Sequence, residues 1–211
     1  ELRTPLTCLN VYYEILKESL KDKADDRQLF CLREIEHNVR RLLTEVESLL
    51  KLSRVENGLF IIRPQLTDVK EQIQSVINDM RPLLEQKNAR LIQNIGDIPK
   101  IDLDPAAFRH IITNLLNNAI KNTPAYGAIT LHAEYKTQKL YCSISDQGAG
   151  IDPGNLANVF ENYYYAPQKD AVEVGGTGLG LSLCKQLVTM LGGEIWAENN
   201  PDKGCCFYLI I

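Results

Sequence analysis

Gly175-Gly176-Thr177-Gly178-Leu179-Gly180-Leu181 is the stretch on which the reading of this chain turns. A glycine-rich turn that opens directly into an apolar run, here Leu179 to Leu191, lets backbone N–H groups approach phosphate oxygens closely. The dipole of the helix that follows favours the negative charge. One such turn is weak evidence for a nucleotide site. Two further segments precede it, Asn114-Leu115-Leu116-Asn117-Asn118 and Asp146-Gln147-Gly148-Ala149-Gly150. An Asn pair at i, i+4, then an Asp closing a strand into a Gly-x-Gly turn, then the Gly-x-Gly-x-Gly turn form an ordered set far more specific than any one of them.

Each upstream segment has chemistry of its own. Asn114 and Asn118 lie one helical turn apart, while Ile111, Ile112, Leu115, Leu116, Ala119 and Ile120 supply the buried side of the same helix. Both amides can therefore face a ligand. An amide oxygen is a neutral hard donor suited to Mg²⁺, which keeps several waters and shares phosphate oxygens with few protein groups. Lys121 can neutralise phosphate charge. The same spacing also suits amides that decorate an exposed helix face, but Asn is a poor mid-helix residue, and Asn114, Asn117 and Asn118 together ask for a reason. Asp146 follows a predicted strand and can accept a hydrogen bond from an exocyclic amino group, which adenine has and the O6 edge of guanine lacks. Taken alone, the segment also reads as an ordinary Asp-Gly turn.

The 211 residues, 45% of them hydrophobic, suffice for one large domain or two modest ones with a real core. A formal charge of -4, with no basic cluster beyond pairs such as Arg40-Arg41, argues against a nucleic-acid surface as the main business. Cys8, Cys31, Cys142, Cys184, Cys205 and Cys206 show no C-x-x-C spacing, so buried thiols in a reducing compartment are expected. No apolar run approaches the ~18 residues of a membrane span. The reducing compartment suggests a cytoplasmic location, and the absence of an initial Met suggests a fragment whose parent can carry an anchor upstream.

The first quarter is helical. Leu2, Leu6, Leu9, Tyr13, Leu16 and Leu20 step by fours and threes, and Leu32, Ile35, Val39, Leu42, Val46 and Leu49 resume the seam after a polar break. This predicts an antiparallel helical hairpin over residues 1–57. Leu43, Leu50 and Val55 widen the second stripe beyond what one partner helix covers, so two copies forming a four-helix bundle are expected. Residues 58–211 read as strands over 59–63, 90–95, 99–103, 128–136, 139–146, 194–198 and 205–211. Helices are expected over 68–87, 104–122 and 177–191. The mixture predicts an α/β sandwich with helices on one face of a mixed sheet, making the whole chain α+β.

These residues carry a resemblance. Glu1-Leu2-Arg3-Thr4-Pro5-Leu6-Thr7 resembles the segment directly after the phosphoacceptor His of sensor histidine kinases of two-component systems. The later segments resemble that family's Asn box, first glycine box, Phe box and second glycine box in order. The resemblance spans the chain and implies a dimerisation and phosphotransfer hairpin followed by a Bergerat-type ATP-binding domain. It implies ATP and Mg²⁺, with Asn118 as metal ligand, Asn114 as its polar partner and Lys121 on phosphate. Asp146 would read adenine, Gly148 and Gly150 would shape the base pocket, and Gly176, Thr177, Gly178, Leu179 and Gly180 would form the phosphate turn. Phe160 would anchor a lid over residues 161–175 that contains Lys169. Glu1 matches the acidic residue that helps deprotonate the attacking imidazole, and Thr4 the residue that orients water for dephosphorylating the partner. That partner would be a response-regulator receiver domain.

The departures are equally specific. The acceptor His would directly precede Glu1, so the chain as it stands lacks the usual acceptor. Asn122 occupies a position where the family often has an aromatic, and Asn162 and Tyr165 stand where lid residues are often basic. Lys169 is then the only Lys or Arg in the lid, and phosphoryl transfer depends on charge placement. A nucleotide-binding sensing or dimerising module with little turnover is the alternative reading. A water-using ATPase is a third, disfavoured because Asn114 stands where hydrolysing relatives usually carry a carboxylate.

Overall fold

A computed structural model describes residues 3–20, 24–162, 164 and 178–211 of the chain. The chain divides into two compact units, Glu1–Leu59 and Phe60–Ile211. The first is made of α1 (Arg3–Leu20) and α2 (Asp26–Glu56). Asp25 caps α2 reciprocally: Gln28 N donates to Asp25 Oδ1 at 2.7 Å, and Asp25 N donates to Gln28 Oε1 at 2.9 Å. Tyr13 and Lys17 of α1 both reach the Glu36 carboxylate of α2.

The seam divides into two rows with heptad spacing. Tyr13, Leu32 and Val39 are buried, whereas Leu9, Leu16, Ile35, Leu42 and Leu49 remain 38–51% exposed. A lone hairpin thus buries one row and leaves the other open. Cys8 and Cys31 lie off the buried row and are exposed, against the expectation that all six thiols would be covered. Cys142, Cys184, Cys205 and Cys206 of the second unit are buried as expected.

The second unit begins differently from the sequence reading. No strand forms over residues 59–63: the Leu59 N–H turns back to Arg54 O, and Leu59 and Ile61 stay about 70% exposed. The strand lies just beyond Pro64, as β1 (Gln65–Thr67), paired antiparallel with β3 (Ile101–Leu103) in a separate two-stranded sheet. Between them run α3 (Val69–Gln86), capped by Asp68, and β2 (Arg90–Ile95).

α4 (Pro105–Asn122) starts at a fully used cap. Asp104 Oδ1 accepts from the N–H groups of Ala106 and Ala107 at 2.9 Å each, and its Oδ2 accepts from Arg63 N at 2.8 Å. A buried carboxylate is thereby satisfied by three backbone donors. β4 (Ala128–Lys136), β5 (Lys139–Ser145), α5 (Gly180–Met190), β6 (Glu194–Asn199) and β7 (Cys205–Ile210) complete the unit. α5 begins at Gly180, three residues later than expected.

The five-stranded sheet has the order β2-β4-β5-β7-β6, with β2 parallel to β4 and every other pair antiparallel. Alternation puts Leu131, Ile144 and Phe207 in register on one face, with Ala133, Cys142 and Leu209 in the next row. All six are buried. α4 lays Phe108, Ile111, Ile112, Leu115, Leu116 and Ala119 into this core and packs against α3 and α5. The expected sandwich is therefore observed, and the buried stripe of α4 fixes which of its residues face away from the core.

Candidate nucleotide-binding site

Asn114, Asn118 and Asn122 succeed one another at single-turn intervals along α4, all half-buried, over a rise of about 12 Å. The two glycine turns meet the ends of this row. A Cβ on Gly180 would lie 3.2 Å from Asn114 Oδ1, so the end of the second glycine turn, where it enters α5, lies against Asn114. A Cβ on Gly148 would lie 2.8 Å from Asn122 O, so the Asp146 turn abuts the other end with no room for a side chain. Three sequence segments far apart in the chain are thus brought to one helix face, with Asn118 midway.

Within the row the amides are bonded. Asn114 Nδ2 donates back to His110 O at 3.1 Å. Asn122 Nδ2 donates to Asn118 O at 2.9 Å and to Asn118 Oδ1 at 3.1 Å. Lys121 is exposed in the last turn of α4.

Asp146 stands where β5 leaves the sheet, its N–H donating to Cys205 O at 2.9 Å. Its side chain is only 3% exposed, and Oδ1 accepts from Gly148 N at 2.7 Å and, more weakly, from Cys205 N at 3.4 Å. Among the described residues, Oδ2 receives no hydrogen bond. Burial pushes the Asp146 carboxyl above the usual carboxylate range, and the two backbone N–H groups pull against that shift. The result is a rigid carboxylate with one oxygen committed to the protein and the other available to a ligand donor.

Three residues that hold this turn escaped the sequence reading. Gly204 adopts φ +93, and a Cβ there would sit 2.0 Å from Asp146 O. Asn200 Nδ2 donates to Asp146 O at 2.8 Å. Asn199 bridges Ile151, accepting from its N–H at 2.8 Å and donating to its carbonyl at 2.6 Å, beside Gly150 at φ +78. The signal was present as Asn199-Asn200 ahead of a Pro-Asp-Lys-Gly hairpin, but only the tertiary fold aims that hairpin at Asp146. Lys87, just past α3, was missed too; its ammonium donates to Ile120 O at 2.6 Å and to Lys121 O at 2.5 Å, capping the end of α4. Burial lowers its pKa.

Phe160 is buried and meets Phe207 edge-to-face at 6.1 Å, so its ring packs in the core. Leu179, expected among the nucleotide contacts, is 3% exposed; its side chain belongs to the core, and only its backbone stands at the turn. Gly178 adopts φ +67 in the same turn. Glu1, Lys169, Gly176 and Thr177 lie outside the described residues. Thr4 falls in the first turn of α1, its side chain also outside them.

The donor set fits Mg²⁺ held largely through phosphates. Among the described residues no three His, Cys, Asp or Glu side chains gather into a metal cage, while Asn118 offers a neutral amide oxygen midway along the row.

A five-stranded sheet backed by three helices, with a buried carboxylate at one end of an amide row and a glycine turn at the other, defines an ATP-binding sandwich of the Bergerat kind. Residues 103–211 match the family described as histidine kinase-, DNA gyrase B-, and HSP90-like ATPase, and residues 1–58 match the His Kinase A (phospho-acceptor) domain. The chain belongs to this ATPase family, in the arrangement of a sensor histidine kinase core.

The chain is 33% identical over 216 residues to the adaptive-response sensory kinase SasA of Synechococcus sp. (strain JA-3-3Ab), covering 100% of this chain and 56% of SasA. It spans about half the length of several such curated relatives and less of others. Among solved structures, full-length ShkA in complex with AMPPNP superimposes with a TM-score of 0.81 at 24% identity, over 100% of this chain and 43% of that one. Histidine kinase ThkA in complex with response regulator protein TrrA gives 0.72 at 20% identity, over 100% and 59%. These two likenesses establish the fold. No helix among the described residues is long and apolar enough to cross a membrane.

Proposed function

We propose that this chain is the kinase core of a sensor histidine kinase that binds Mg-ATP and transfers the γ-phosphoryl group to a histidine imidazole. The observation that carries the proposal is the amide row of α4 running from the Asp146 turn to the second glycine turn. In this reading the adenine amino group donates to Asp146 Oδ2, and the phosphates run past Asn118 toward the turn against Asn114. Backbone N–H groups of residues 176–180 and Lys121 and Lys169 meet their charge. Mg²⁺, when bound at Asn118 Oδ1, supplies charge neutralisation on the phosphate oxygens.

The acceptor in the longer protein is a His directly before Glu1. Its imidazole nitrogen attacks the γ-phosphorus, the bond to the bridging oxygen breaks, and ADP leaves with the electron pair. Glu1 takes the imidazole proton. The phosphoryl group then passes to an Asp of a response-regulator receiver domain, and Thr4 orients the water that hydrolyses this aspartyl phosphate, releasing inorganic phosphate, in the opposing phosphatase activity. ThkA, whose solved structure includes a response regulator, supports a partner of that class. The open row Leu9, Leu16, Ile35, Leu42 and Leu49 supports a homodimer through the hairpin, since a second copy offers the same row in the same register.

The test is incorporation of label from γ-labelled Mg-ATP into this chain and into the chain extended upstream to include the His. Acid-labile label only on the extended polypeptide is the expected result. No label on either, with ATP still bound, would replace the kinase with the alternative, a nucleotide-sensing dimerisation module in which a lid with one cation does not support transfer.

A further inference from the structure

We infer that Asn122 is a positioning residue for the metal ion: its amide holds the Asn118 side chain in the orientation that presents Oδ1 to Mg²⁺. The inference rests on the nucleotide-binding reading above and adds to it a residue that the family pattern would count only as a lost aromatic. Asn122 Nδ2 lies 2.9 Å from Asn118 O and 3.1 Å from Asn118 Oδ1. The first contact decides the chemistry of the second. A backbone carbonyl only accepts, so Asn122 must turn its NH₂ group toward Asn118, and the side-chain atom that shares that NH₂ must be an acceptor. That atom is the oxygen of the Asn118 amide, with its nitrogen turned away.

Without this lock, the Asn118 amide can flip and offer two N–H donors where a cation needs an oxygen. With it, one lone pair of Oδ1 takes the hydrogen bond and the other remains for metal. Asn122 is itself fixed from two sides. Its carbonyl faces Gly148, where a Cβ would lie 2.8 Å away, and the helix turn it ends is clamped by Lys87 on the Ile120 and Lys121 carbonyls. An outer residue that orients a ligand in this way commonly changes metal affinity by about ten- to a hundredfold when removed. Metal-free nucleotide should not register the loss, because the base contact runs through Asp146.

The experiment is calorimetric titration of AMPPNP into this chain and its Asn122→Ala, Asn122→Leu, Asn122→Gln and Asn118→Ala variants. Each is run across a Mg²⁺ series and in EDTA, with thermal melts to confirm folding. Asn122→Ala and the similarly sized Asn122→Leu, which lacks the donor and adds no charge, are expected to raise the Mg²⁺ concentration for half-maximal effect by roughly tenfold or more. Their EDTA affinity should stay within about twofold, the room left by a base contact they do not touch. Asn122→Gln, which keeps a donor at i, i+4, is expected to restore most of the Mg²⁺ dependence.

Equal weakening with and without Mg²⁺ would overturn the inference and make Asn122 a support of the base turn. Loss of the Mg²⁺ effect in Asn118→Ala with no change in Asn122→Ala would overturn it while leaving the nucleotide reading intact. No Mg²⁺ effect in the unsubstituted chain would overturn both.

Discussion

The two units of this chain draw on similar apolar residues and close them in opposite ways. The hairpin buries Tyr13, Leu32 and Val39 but leaves Leu42 and Leu16 each 45% exposed, so half of its seam is unspent. In the sandwich, Phe108, Ile111, Leu116, Ile129, Leu140 and Phe207 are no more than 1% exposed, and a buried charge, Asp146, is held among them by backbone donors. One unit asks for a second copy of itself; the other is complete as a core and reserves its polar exceptions for a ligand. An exposed apolar row at heptad spacing and a buried carboxylate with an unused oxygen are both unsatisfied groups, and each names its partner by its chemistry.

The largest effect should come from breaking the first half of that contrast. Ile35→Glu together with Leu42→Glu places four carboxylates in the proposed bundle of two copies, at a cost of several kcal/mol, or roughly a thousandfold or more in dimer dissociation. Sedimentation equilibrium is expected to show monomer, with AMPPNP affinity unchanged. An unchanged dimer would mean that the open row is not the interface. The second half is tested by Phe207→Ala, which removes the ring that Phe160 meets edge-to-face and should cost about 3–5 kcal/mol. Trp196, the chain's single tryptophan, lies in β6 beside β7 and reports that unfolding in urea; helix content of the hairpin should not fall with it.

Asp146→Asn separates the site from the core around it. The amide keeps an oxygen for Gly148 N and Cys205 N but turns an NH₂ toward the adenine amino group, so ATP binding should weaken by about 1.5–3 kcal/mol, roughly ten- to a hundredfold. Stability should hold or rise, since a buried charge is removed. The pH dependence sharpens this. The carboxyl binds its proton more tightly folded than unfolded, so its contribution to stability is most favourable below the ordinary carboxylate pKa and declines as pH rises to the elevated folded value. ATP affinity should move the other way across the same window, because the base needs the ionised form. Parallel trends in calorimetry and thermal melts would remove Asp146 from the base contact.

The sequence carried the local half of this molecule well. The heptad rows, the Asp104-Pro105 helix start, the strands over 128–136 and 90–95, and the single-turn spacing of Asn114 and Asn118 all depend on periodicity or capping within one segment. What it hid depends on distant segments meeting. Residues 59–63 form a short apolar run like a strand but pair with no strand, because the Leu59 N–H is taken by Arg54 O and the pairing with Ile101–Leu103 begins only after Pro64. Gly204 and Asn200 read as hairpin residues until β7 brings them against Asp146. Asn122 read as a missing aromatic until its amide was found on Asn118.

Lys87 makes the mildest and most diagnostic case, because nothing in its own segment marks it. It follows α3, ten residues past Ile77 of that helix's buried stripe, yet its ammonium ends a different helix by bonding Ile120 O and Lys121 O. Those carbonyls are orphans of the last turn of α4, where the helix dipole is negative, and a cation there contributes about 1 kcal/mol, up to ~2 when partly buried. Lys87→Met keeps the apolar stem and deletes the charge, so the urea midpoint followed at Trp196 should drop by that modest amount. Lys87→Arg should retain most of it. The same loosening reaches Asn122 and Gly148 within one turn, so AMPPNP affinity should fall only a few-fold, well under the loss from Asp146→Asn. A loss of affinity as large as that of Asp146→Asn, without the drop in stability, would mean that Lys87 meets the nucleotide itself.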